Sequence, residues 1–505
     1  MTTIEQALAL VQRLEDELQA RRPLIQRNND YYRGLQKLTF ASEQFQKFHG
    51  DRYKNFADNW VQVVSDAPVE RLTVNGVLPA GMTEADKESW RVWQMNALDA
   101  DSQLGFMGAV NSGRSFVLVW GDPDDPETPE VTFEDAAQCI IAYVPGSRRK
   151  RRAALKRWDD GGRSFATLYL PNEVFKFERP ALGVSSKSVA MRGVDEELER
   201  WDLRDTGLEP NPQPNPMGVV PMVELPNRPT LTDEPVSDIT GVVSMQDAIN
   251  LLWAQLFTAS DYASFPQRIV LGAEVPEIPI LDETGQIVGS RPVDLERFAV
   301  DRVMFFTGDD VKVTEWTAAN LEAYTKVMEV AVGHIAAQTR TPQHYLSGKM
   351  TNISGDALLA AETGLIKRVE EKQIWFGQAL REMFRLIALA QGDDVKAKSI
   401  AGGRVLWADA ESRSHSQLAD ALTKLRQIGF PFEFLALRYG LTPTEVADLM
   451  TMKDRELAAD PMGAITQLMA HDPAQGSATP DEAPGGGNGL VSAGSAAPRS
   501  QGGTD

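Results

Sequence analysis

A Gly-Lys pair, which in nucleotide-binding proteins can bind phosphate, occurs once in the sequence. Gly348 and Lys349 form that pair, and nucleotide-binding phosphate loops consist of Gly, four residues, then Gly-Lys followed by Ser or Thr. Gln343 occupies the position of the first Gly, and Met350 follows the Lys. Because both flanking requirements fail, the pair predicts no nucleotide-binding loop, and an ATPase is not indicated.

Other residues with chemical potential are present but are not arranged for catalysis or metal binding. Asp122, Asp124 and Asp125 are close together, yet this segment lacks the Gly and the terminal Glu of a calcium loop. The single cysteine, Cys139, excludes an intramolecular disulfide and thiolate metal clusters, so we expect it in the core. The histidines, which show no ligand spacing, are His49, His334, His344, His415 and His471. With no serine in a hydrolase nucleophile context, the sequence predicts neither an enzyme, nor a metal site, nor a cofactor.

The chain is strongly acidic, which bears on whether it could bind a polyanion. It has 51 Lys and Arg against 71 Asp and Glu, a formal net charge of -20 and a pI near 4.8. Proteins that coat nucleic acid neutralise phosphates with Lys and Arg, so this balance opposes such a function. It suits a conduit, because a moving polyanion must not be held in deep electrostatic wells. The densest basic run, Ser147–Arg152 (SRRKRR), is therefore expected to face solvent or an acidic neighbour.

The segment Phe430–Met450 (FPFEFLALRYGLTPTEVADLM) resembles the turn of a helix-turn-helix. It supports a second hypothesis, a DNA-binding or packaging-regulatory protein. A recognition helix needs several basic or amide side chains to reach phosphates and base edges. The helix predicted over Pro443–Leu457 offers only Lys453 and Arg455, late in its length. Ordinary helical packing is the preferred interpretation.

Apolar periodicity predicts the helices and strands of the 505-residue chain. A first helix is predicted over Ile4–Arg21 and stops at Pro23, since proline breaks helices. Strands are predicted to begin with a β-rich run over Ser112–Trp120, and the segments AALKRW, RSFATLYL and VFKF within Ala153–Phe177 predict a β-meander. The Pro-rich stretch Pro210–Pro229 closes this α+β region. No window reaches eighteen uninterrupted apolar residues and nothing resembles a secretory signal, so neither a membrane span nor export is expected.

The regional order predicts an α+β fold in which long helices flank a small β-rich module. The predicted regions are an α+β part at 1–234, a long helix at 235–266, an acidic β-rich module at 267–316, a second helix at 317–339, a loop at 340–355, a very long helix and its return at 356–410, a helical end piece at 411–470 and a disordered tail at 471–505. The polar faces of the paired helices carry four carboxylates: Asp238, Asp247, Glu322 and Glu329.

Five strings, and their order along the chain, resemble one known family. They are YYRG at Tyr31–Gly34, FADNWVQVVSDAPVERL at Phe56–Leu72, SGRSFVLVW at Ser112–Trp120, TLYLPNEVFKF at Thr167–Phe177 and TPQHYLSGKMTNISGDALLAAETGL at Thr341–Leu365. Over roughly Tyr31–Glu456 the chain resembles the portal proteins of tailed double-stranded DNA bacteriophages. The likeness is to siphophages of Gram-positive, especially actinobacterial, hosts.

The resemblance implies a fold, partners and a location. In portal proteins the α+β part is the wing, the paired helices the stem, the β-rich module the clip and the terminal helices the crown. Membership would imply a homo-oligomeric ring, usually a dodecamer, at a capsid vertex of the virion, assembled in the host cytoplasm. It would also imply contacts with the major capsid protein, the terminase packaging motor and the head-completion adaptor. Double-stranded DNA would pass through irrespective of its sequence, with no cofactor and no membrane.

The resemblance also implies site residues. The loop Ser347–Asp356 corresponds to the tunnel loop that narrows the channel, and Lys349 is its only base. The implied DNA-contacting residues are Ser347, Gly348, Lys349, Met350, Thr351, Asn352 and Ser354. Their small, polar side chains would let backbone approach a phosphate chain; the alternative is a flexible connector in which Ser354 caps the next helix. The four carboxylates would line the channel, the alternative being ordinary solvated helix faces.

Overall fold

The computed structural model describes residues 2–36, 57–180, 200–207, 209–231, 234–264, 268–271, 277–282, 285–292, 303–306, 312–315, 320–348, 355–411 and 415–459. The chain forms two compact units, Met1–Val446 and Ala447–Asp505. In the second unit the described residues, 447–459, are the distal part of the last helix. Helices and strands both contribute substantially, so the predicted α+β class is confirmed.

The helices of the described ranges are α1 (Ile4–Tyr32), α2 (Trp60–Val69), α3 (Lys87–Met95), α4 (Leu98–Ser112), α5 (Val243–Ser264), α6 (Leu321–Thr339), α7 (Gln343–Ser347), α8 (Gly355–Ala390), α9 (Asp394–Ala401), α10 (His415–Gln427), α11 (Phe432–Tyr439) and α12 (Pro443–Ala459). The strands are β1 (Val74–Leu78), β2 (Arg114–Trp120), β3 (Glu130–Glu134), β4 (Cys139–Tyr143), β5 (Arg151–Asp160), β6 (Arg163–Tyr169), β7 (Glu173–Pro180), β8 (Asp202–Leu203), β9 (Gln213–Pro214), β10 (Met222–Pro226), β11 (Arg268–Leu271), β12 (Glu277–Leu281), β13 (Ile287–Pro292), β14 (Val303–Phe306), β15 (Lys312–Glu315) and β16 (Arg404–Trp407).

Two antiparallel sheets organise the N-terminal half of the described chain. The larger has the strand order β4-β5-β6-β7-β8, and β9 also pairs with β7, which confirms the predicted meander. In the smaller sheet β2 lies between β10 and β3. Arg114 at one end of β2 is opposite Pro226, and Trp120 at its other end is opposite Glu130.

Helix α1 continues through Pro23 and is longer than predicted. Thr3 and Gln6 cap it reciprocally: the Gln6 N–H donates to Thr3 Oγ1 at 3.3 Å, and the Thr3 N–H donates to Gln6 Oε1 at 3.1 Å. The buried face includes Ala7, Val11, Leu14, Leu18, Ile25, Asn28 and Tyr31. The predicted stop at Pro23 is wrong, because burial of this continuous face outweighs one lost hydrogen bond.

Helix α8 lies at the centre of the largest hydrophobic core. Its 36 residues confirm the predicted very long helix. Its buried face includes Leu365, Val369, Phe376, Leu380, Met383, Phe384 and Ile387. The Phe376 ring stacks on Phe106 of α4 with centroids 5.4 Å apart, and Phe384 stacks on Trp93 of α3 at 5.8 Å. This extensive burial makes α8 a rigid element against which the neighbouring helices are positioned.

The described residues of the predicted β-rich module form strands, and both flanking helices begin later than predicted, α6 at Leu321 rather than at 317. Strand β11 pairs in parallel with β14 and antiparallel with β15, while β12 and β13 form a hairpin. Helix α5 begins at Val243 rather than at 235. The preceding segment is held in turns instead, with the Val236 N–H donating to the Asn227 carbonyl and the Asp238 N–H donating to the Val110 carbonyl. None of the described helices has the length and apolar character that a membrane span requires.

Candidate functional site

Helices α6, α7 and α8 converge on the loop Ser347–Asp356, called the connecting loop below. Helix α7 ends at Gly348, which has a φ of 62° and donates its N–H to the His344 carbonyl at 3.1 Å. Glycine adopts this left-handed conformation at little cost and so redirects the chain out of the helix. Ser347 is half-buried, and its hydroxyl donates to the Gln343 carbonyl at 3.0 Å. The remaining predicted contact residues, Lys349, Met350, Thr351, Asn352 and Ser354, lie outside the described residues.

Helix α6 ends at a close approach to α8. Arg340, the residue that caps α6, has a left-handed φ of 54° and donates its N–H to the Ala336 carbonyl. Gly364 of α8 faces it, and a Cβ at Gly364 would lie 3.3 Å from the Arg340 Cβ. A side chain at this position would be closer to Arg340 than ordinary van der Waals contact, so the end of α6 would have to shift by a few tenths of an ångström.

A buried charged cluster joins α8 to the turn before α5. Asp238 Oδ2 lies 2.5 Å from Arg368 Nη2 and 2.7 Å from Lys372 Nζ. Asn227 donates to Asp238 Oδ1 at 3.0 Å and accepts from Lys372 Nζ at 2.6 Å. All four side chains are buried. This set, called the Asp238 cluster below, places one anion and two cations in the protein interior.

Arg368 extends the Asp238 cluster to the end of α6. Its guanidinium donates to the Thr339 carbonyl at 2.9 Å, to the Val64 carbonyl at 3.0 Å and to Thr341 Oγ1 at 3.3 Å. Thr339 is the last residue of α6, whose final carbonyls lack helical partners, and a cation is favourable there. One side chain thus fixes α2, α6 and α8 relative to one another.

The charges of the Asp238 cluster depend on one another. Burial alone would raise the pKa of Asp238, but the attraction of Lys372 and Arg368 outweighs burial and holds that pKa far below its ordinary value. Burial lowers the pKa of Lys372, an effect that Asp238 opposes. Loss of the single carboxylate would leave two buried cations without their counter-ion.

A second charged cluster ties α7 to α8. Arg71 Nη2 lies 3.1 Å from Glu362 Oε2 and donates to Tyr345 Oη at 2.7 Å. His344 Nε2 is 3.8 Å from the other Glu362 oxygen. Burial would lower the pKa of Arg71, but hydrogen bonds to Glu362 and Tyr345 outweigh it and raise that pKa. The helices on both sides of the connecting loop are therefore anchored to the same arginine.

Two of the four predicted channel carboxylates are buried inside the subunit. Asp238 is 5% exposed within its cluster, and Asp247 is 7% exposed. The Tyr31 hydroxyl is 2.7 Å and 2.8 Å from the two carboxylate oxygens of Asp247. The expectation that these two residues line a channel is wrong, because a side chain enclosed by its own subunit has no surface to offer a lumen.

The other two carboxylates, Glu322 and Glu329, are exposed on α6. The Asn320 side chain accepts from the Glu322 N–H at 3.1 Å and so caps the helix. Glu322 Oε1 lies 2.9 Å from Lys326 Nζ, one turn along the same face. Both glutamates thus retain the accessibility that a channel-lining role requires.

Helix α6 also carries an exposed apolar stripe. Ala323, Val327 and Val330 follow one another at steps of four and three residues, and the two valines are 53% and 58% exposed. The face that packs inside the subunit is separate and consists of Met328, Ala331, Val332, Ile335, Ala336 and Thr339. At 3.6 residues per turn, the exposed apolar stripe lies about 100° around the helix from the two glutamates. Three distinct faces therefore run along α6.

The basic run Ser147–Arg152 lies at the turn from β4 into β5. Arg149, Lys150 and Arg152 are exposed, as expected. Arg151 differs, because it pairs with Glu382 of α8 at 2.5 Å. The run is thus a solvent-facing basic tip with one buried anchor.

The segment Phe430–Met450 contains α11 and the beginning of α12, as predicted. Thr442 and Glu445 form the expected capping box: the Glu445 N–H donates to Thr442 Oγ1 at 3.3 Å, and the Thr442 N–H donates to Glu445 Oε2 at 2.8 Å. Asn75 of β1 donates to the Leu437 carbonyl at 3.4 Å, so α11 packs on β1. This contact favours helical packing over DNA reading for the segment.

Cys139 is fully buried, which confirms its predicted place in the core, and burial raises the pKa of its thiol. Within the described ranges no group of His, Cys, Asp and Glu is arranged to hold a metal ion.

Sequence reasoning missed the four charged residues that anchor the connecting loop. Arg368 and Lys372 lie one turn apart within the buried stripe of α8 that includes Leu365, Val369 and Phe376. Two cations inside an apolar stripe signal a buried counter-ion, so this pattern could have identified them. Arg71 and Glu362 carry no comparable local signal, because their contact joins positions 291 residues apart.

Comparison with known proteins finds one family. Residues 11–433 match the family described as "Phage portal protein, SPP1 Gp6-like". The portal protein of Mycobacterium phage D29 is 31% identical over 424 residues, covering 81% of this chain and 81% of the relative. The portal protein of Mycobacterium phage L5 is 30% identical over 436 residues, covering 83% of each. A chain of the structure titled "Virion of native gene transfer agent (GTA) particle" aligns at 13% identity with a TM-score of 0.36, covering 76% of this chain and 88% of that one.

Proposed function

Because the chain belongs to the SPP1 Gp6-like family of phage portal proteins, we propose that it is the repeating subunit of a ring-shaped DNA channel at a capsid vertex. The ring takes part in genome packaging, head-tail joining and genome ejection. Two mycobacteriophage portal proteins at 30% identity or more support this assignment, and with it the predicted actinobacterial host range.

The exposed apolar stripe of α6 is the structural observation that carries the ring assembly. Val327 and Val330 are more than half exposed although they lie on a helix whose opposite face is packed. Contiguous apolar surface of this kind marks an interface. In a ring, the stripe would be buried against the neighbouring subunit, and closed rotational symmetry would repeat the contact. The expected ring is a homo-dodecamer.

The acidic face of α6 would then line the channel. Glu322 and Glu329 lie about 100° around the helix from the apolar stripe, so burying the stripe between subunits leaves the glutamates toward the lumen. Carboxylates repel the phosphate chain and keep it from binding at any one position. This assignment keeps the two exposed glutamates and drops the two buried aspartates.

The connecting loop would contact DNA as the tunnel loop. Its candidate contacts are Ser347, Gly348, Lys349, Met350, Thr351, Asn352 and Ser354. Small side chains allow backbone to approach the phosphates, and one lysine supplies weak attraction that ignores sequence. The two charged clusters support this role, because a loop that narrows a channel needs rigid flanks.

The family's regional plan is proposed for the rest of the chain. The assignments are N-terminal region and wing for 1–234, stem for 235–266 and 317–339, clip for 267–316, tunnel loop for 340–355, long helix and return to the wing for 356–410, crown for 411–470 and a disordered tail for 471–505. The expected partners are the major capsid protein, the terminase packaging motor, the head-completion adaptor and double-stranded DNA in transit. The subunit would reside in the virion at the portal vertex and pass through the host cytoplasm during assembly.

Negative-stain electron microscopy with mass measurement in solution tests the assignment. We expect wild-type protein to form rings with a central hole. The variant Val327→Glu/Val330→Glu should stay monomeric with unchanged helix content, because it places charge on the exposed stripe. The matched control Leu104→Glu/Val395→Glu changes two other exposed apolar residues and should form rings. A wild-type protein that remains monomeric at every concentration and salt would refute the proposal.

A further inference from the structure

Two exposed loops of opposite charge belong to the two antiparallel sheets: the acidic loop joins β2 to β3 in the smaller sheet, and the basic loop joins β4 to β5 in the larger one. The acidic loop, Asp122–Glu130, carries five carboxylates and no base. The basic loop, Ser147–Arg152, carries five bases and no carboxylate. In a chain with a net charge of -20, such a compact basic surface requires a specific explanation.

Most of these charges have no counter-ion in the subunit. Arg149, Lys150 and Arg152 are exposed, and no carboxylate of the described residues lies within 4.0 Å of them. The carboxylates of the acidic loop likewise have no ion pair with any described cation; they belong to Asp122, Asp124, Asp125, Glu127 and Glu130. Arg91 touches this loop at the Glu127 carbonyl, but its own ion pair is with Glu88 at 2.7 Å. Both loops therefore present uncompensated charge to solvent.

The loops are too far apart to neutralise each other within one subunit. Arg151 of the basic loop pairs with Glu382 of α8 at 2.5 Å. The Glu127 carbonyl of the acidic loop accepts from Gln391, just past the end of α8, at 2.7 Å. Glu382 and Gln391 are nine positions apart, or about 13 Å along a helix. The two loops thus contact α8 at separate positions, farther apart than the 4.0 Å over which an ion pair forms.

We propose that the acidic loop of one subunit pairs with the basic loop of the next in the assembled ring. The proposal rests on the proposed portal function, because it needs a head-to-tail contact. Such a contact joins two different surfaces of the same chain, and a closed ring uses every copy of both. Two exposed loops of opposite charge, each held by its own sheet, are suited to such a contact. The contact also explains the basic run without DNA binding, for which the acidic chain is poorly suited.

Charge reversal in each loop, followed by mixing, tests the pairing. The basic-loop variant is Arg149→Glu/Lys150→Glu/Arg152→Glu, and the acidic-loop variant is Asp122→Lys/Asp124→Lys/Asp125→Lys. Each variant alone places like charges across every contact, so we expect ring assembly to weaken on the order of ten-fold or more. An equimolar mixture should restore rings in which the two variants alternate, and native mass spectrometry should find them in a one-to-one ratio. Combining both reversals in one chain should also restore rings.

Three outcomes separate this contact from the proposed function. The control Arg163→Glu/Lys367→Glu/Lys424→Glu makes the same change in net charge at other exposed positions and should assemble as wild type does. If wild-type rings form but either single-loop variant assembles equally well, or the mixture fails to recover, the pairing is overturned and the portal function stands. If the basic-loop variant forms normal rings that are not built into capsids, the basic loop recognises another acidic protein and the pairing is again overturned. If wild type forms no ring, the portal function itself fails.

Discussion

Arg368 makes a set of simultaneous contacts that a lysine could not make. Its guanidinium contacts Asp238 and the carbonyls of Val64 and Thr339, which belong to three different parts of the chain. Arginine presents five donors in a rigid planar fork, whereas lysine is a compact charge on a flexible stem. Lys372 supplies the second charge at the same carboxylate. One arginine side chain thus fixes the junction of α2, α6 and α8, and one carboxylate is the shared counter-ion of Arg368 and Lys372.

Replacing that anion should destabilise the subunit strongly. Asp238→Asn leaves Arg368 and Lys372 buried without their counter-ion, and we expect a loss of about 3–5 kcal/mol in the free energy of unfolding. Chemical denaturation should be measured in the monomeric Val327→Glu/Val330→Glu background, so that assembly does not contribute. The control Glu322→Gln, at an exposed position, should change stability by less than about 0.5 kcal/mol. Equal effects of the two substitutions would contradict burial of the cluster.

The pH dependence of the Asp238 contribution has a defined direction. The folded-state pKa of Asp238 is lowered from its ordinary value of 3.8, mainly by Lys372 and Arg368 acting against burial. A carboxylate with a lowered pKa contributes stability that is complete above its unfolded pKa and is lost as the pH falls toward the folded one. The part of the wild-type stability that depends on this carboxylate should therefore be complete above about pH 5 and be lost below about pH 4, so the difference from Asp238→Asn should shrink at acidic pH. A difference that does not shrink at acidic pH would show that another group is responsible.

Asp247 offers a second residue-scale test, because it separates a structural carboxylate from a channel-lining one. Tyr31→Phe removes the hydroxyl that contacts both Asp247 oxygens, and we expect a loss of about 1–3 kcal/mol of stability. Tyr324→Phe is the matched control, since no described residue bonds to that hydroxyl. The free energy of unfolding of both variants should be measured by chemical denaturation. If Tyr31→Phe is as stable as Tyr324→Phe, Asp247 is accessible to solvent rather than buried against Tyr31.

Among the helices and strands, apolar periodicity predicted those whose conformation depends mainly on nearby residues in the sequence. The apolar stripe of α8 and the β-rich pieces between α5 and α6 are visible in the sequence, because a long buried helix and short strands impose different repeats. The stop at Pro23 and the start of α5 at 235 were wrong. In both places the backbone conformation depends on contacts with residues that are distant in the sequence. Neither a proline nor the spacing of apolar residues reveals such contacts.

The sequence predicted the helices on either side of the candidate site but not the contacts that support it. The segment 340–355 was predicted as a loop, yet it contains the short helix α7, which ends at Gly348. The partners of Asp238 and Asp247 lie 130 and 216 positions away. A helical wheel assigns a carboxylate to a polar face whether that face meets water or a buried cation. Only the tertiary structure separates these cases.

The connecting loop itself is open to a direct test. The variant Lys349→Ala/Asn352→Ala/Ser354→Ala should lower the packaging rate or the packaged genome length, because it removes the polar contacts available to phosphates. Rings should still assemble, since the helices on either side are anchored by Arg71 and Arg368. Thr423→Ala/Lys424→Ala/Gln427→Ala removes the same kinds of side chain from α10 and serves as control. Normal genome length and packaging rate in the loop variant would remove the DNA-contact role.

For the whole molecule, the distribution of charge matters more than its total. The net charge of -20 disfavours a protein that holds DNA, while the compact basic loop remains available for another purpose. A ring solves both problems when acidic faces point to the lumen and the opposite loops meet between subunits. In this arrangement the same excess of carboxylates that prevents DNA adhesion also supplies partners for the basic loops.

Reversing the charge of the α6 face that we propose lines the channel should make that face bind DNA. Glu322→Lys/Glu329→Lys replaces two exposed carboxylates of α6 with cations and leaves the apolar stripe intact, so rings should form normally. Phosphates would then be held as they pass, and we expect slower packaging that recovers as salt is raised, because screening weakens exposed charge contacts. Glu5→Lys/Glu17→Lys makes the same change in net charge on α1 and controls for the total charge of the ring. Lysines that face the DNA should slow its passage at low salt, because they attract its phosphates. If Glu322→Lys/Glu329→Lys packages at the wild-type rate at every salt concentration, the acidic face of α6 therefore does not face the DNA.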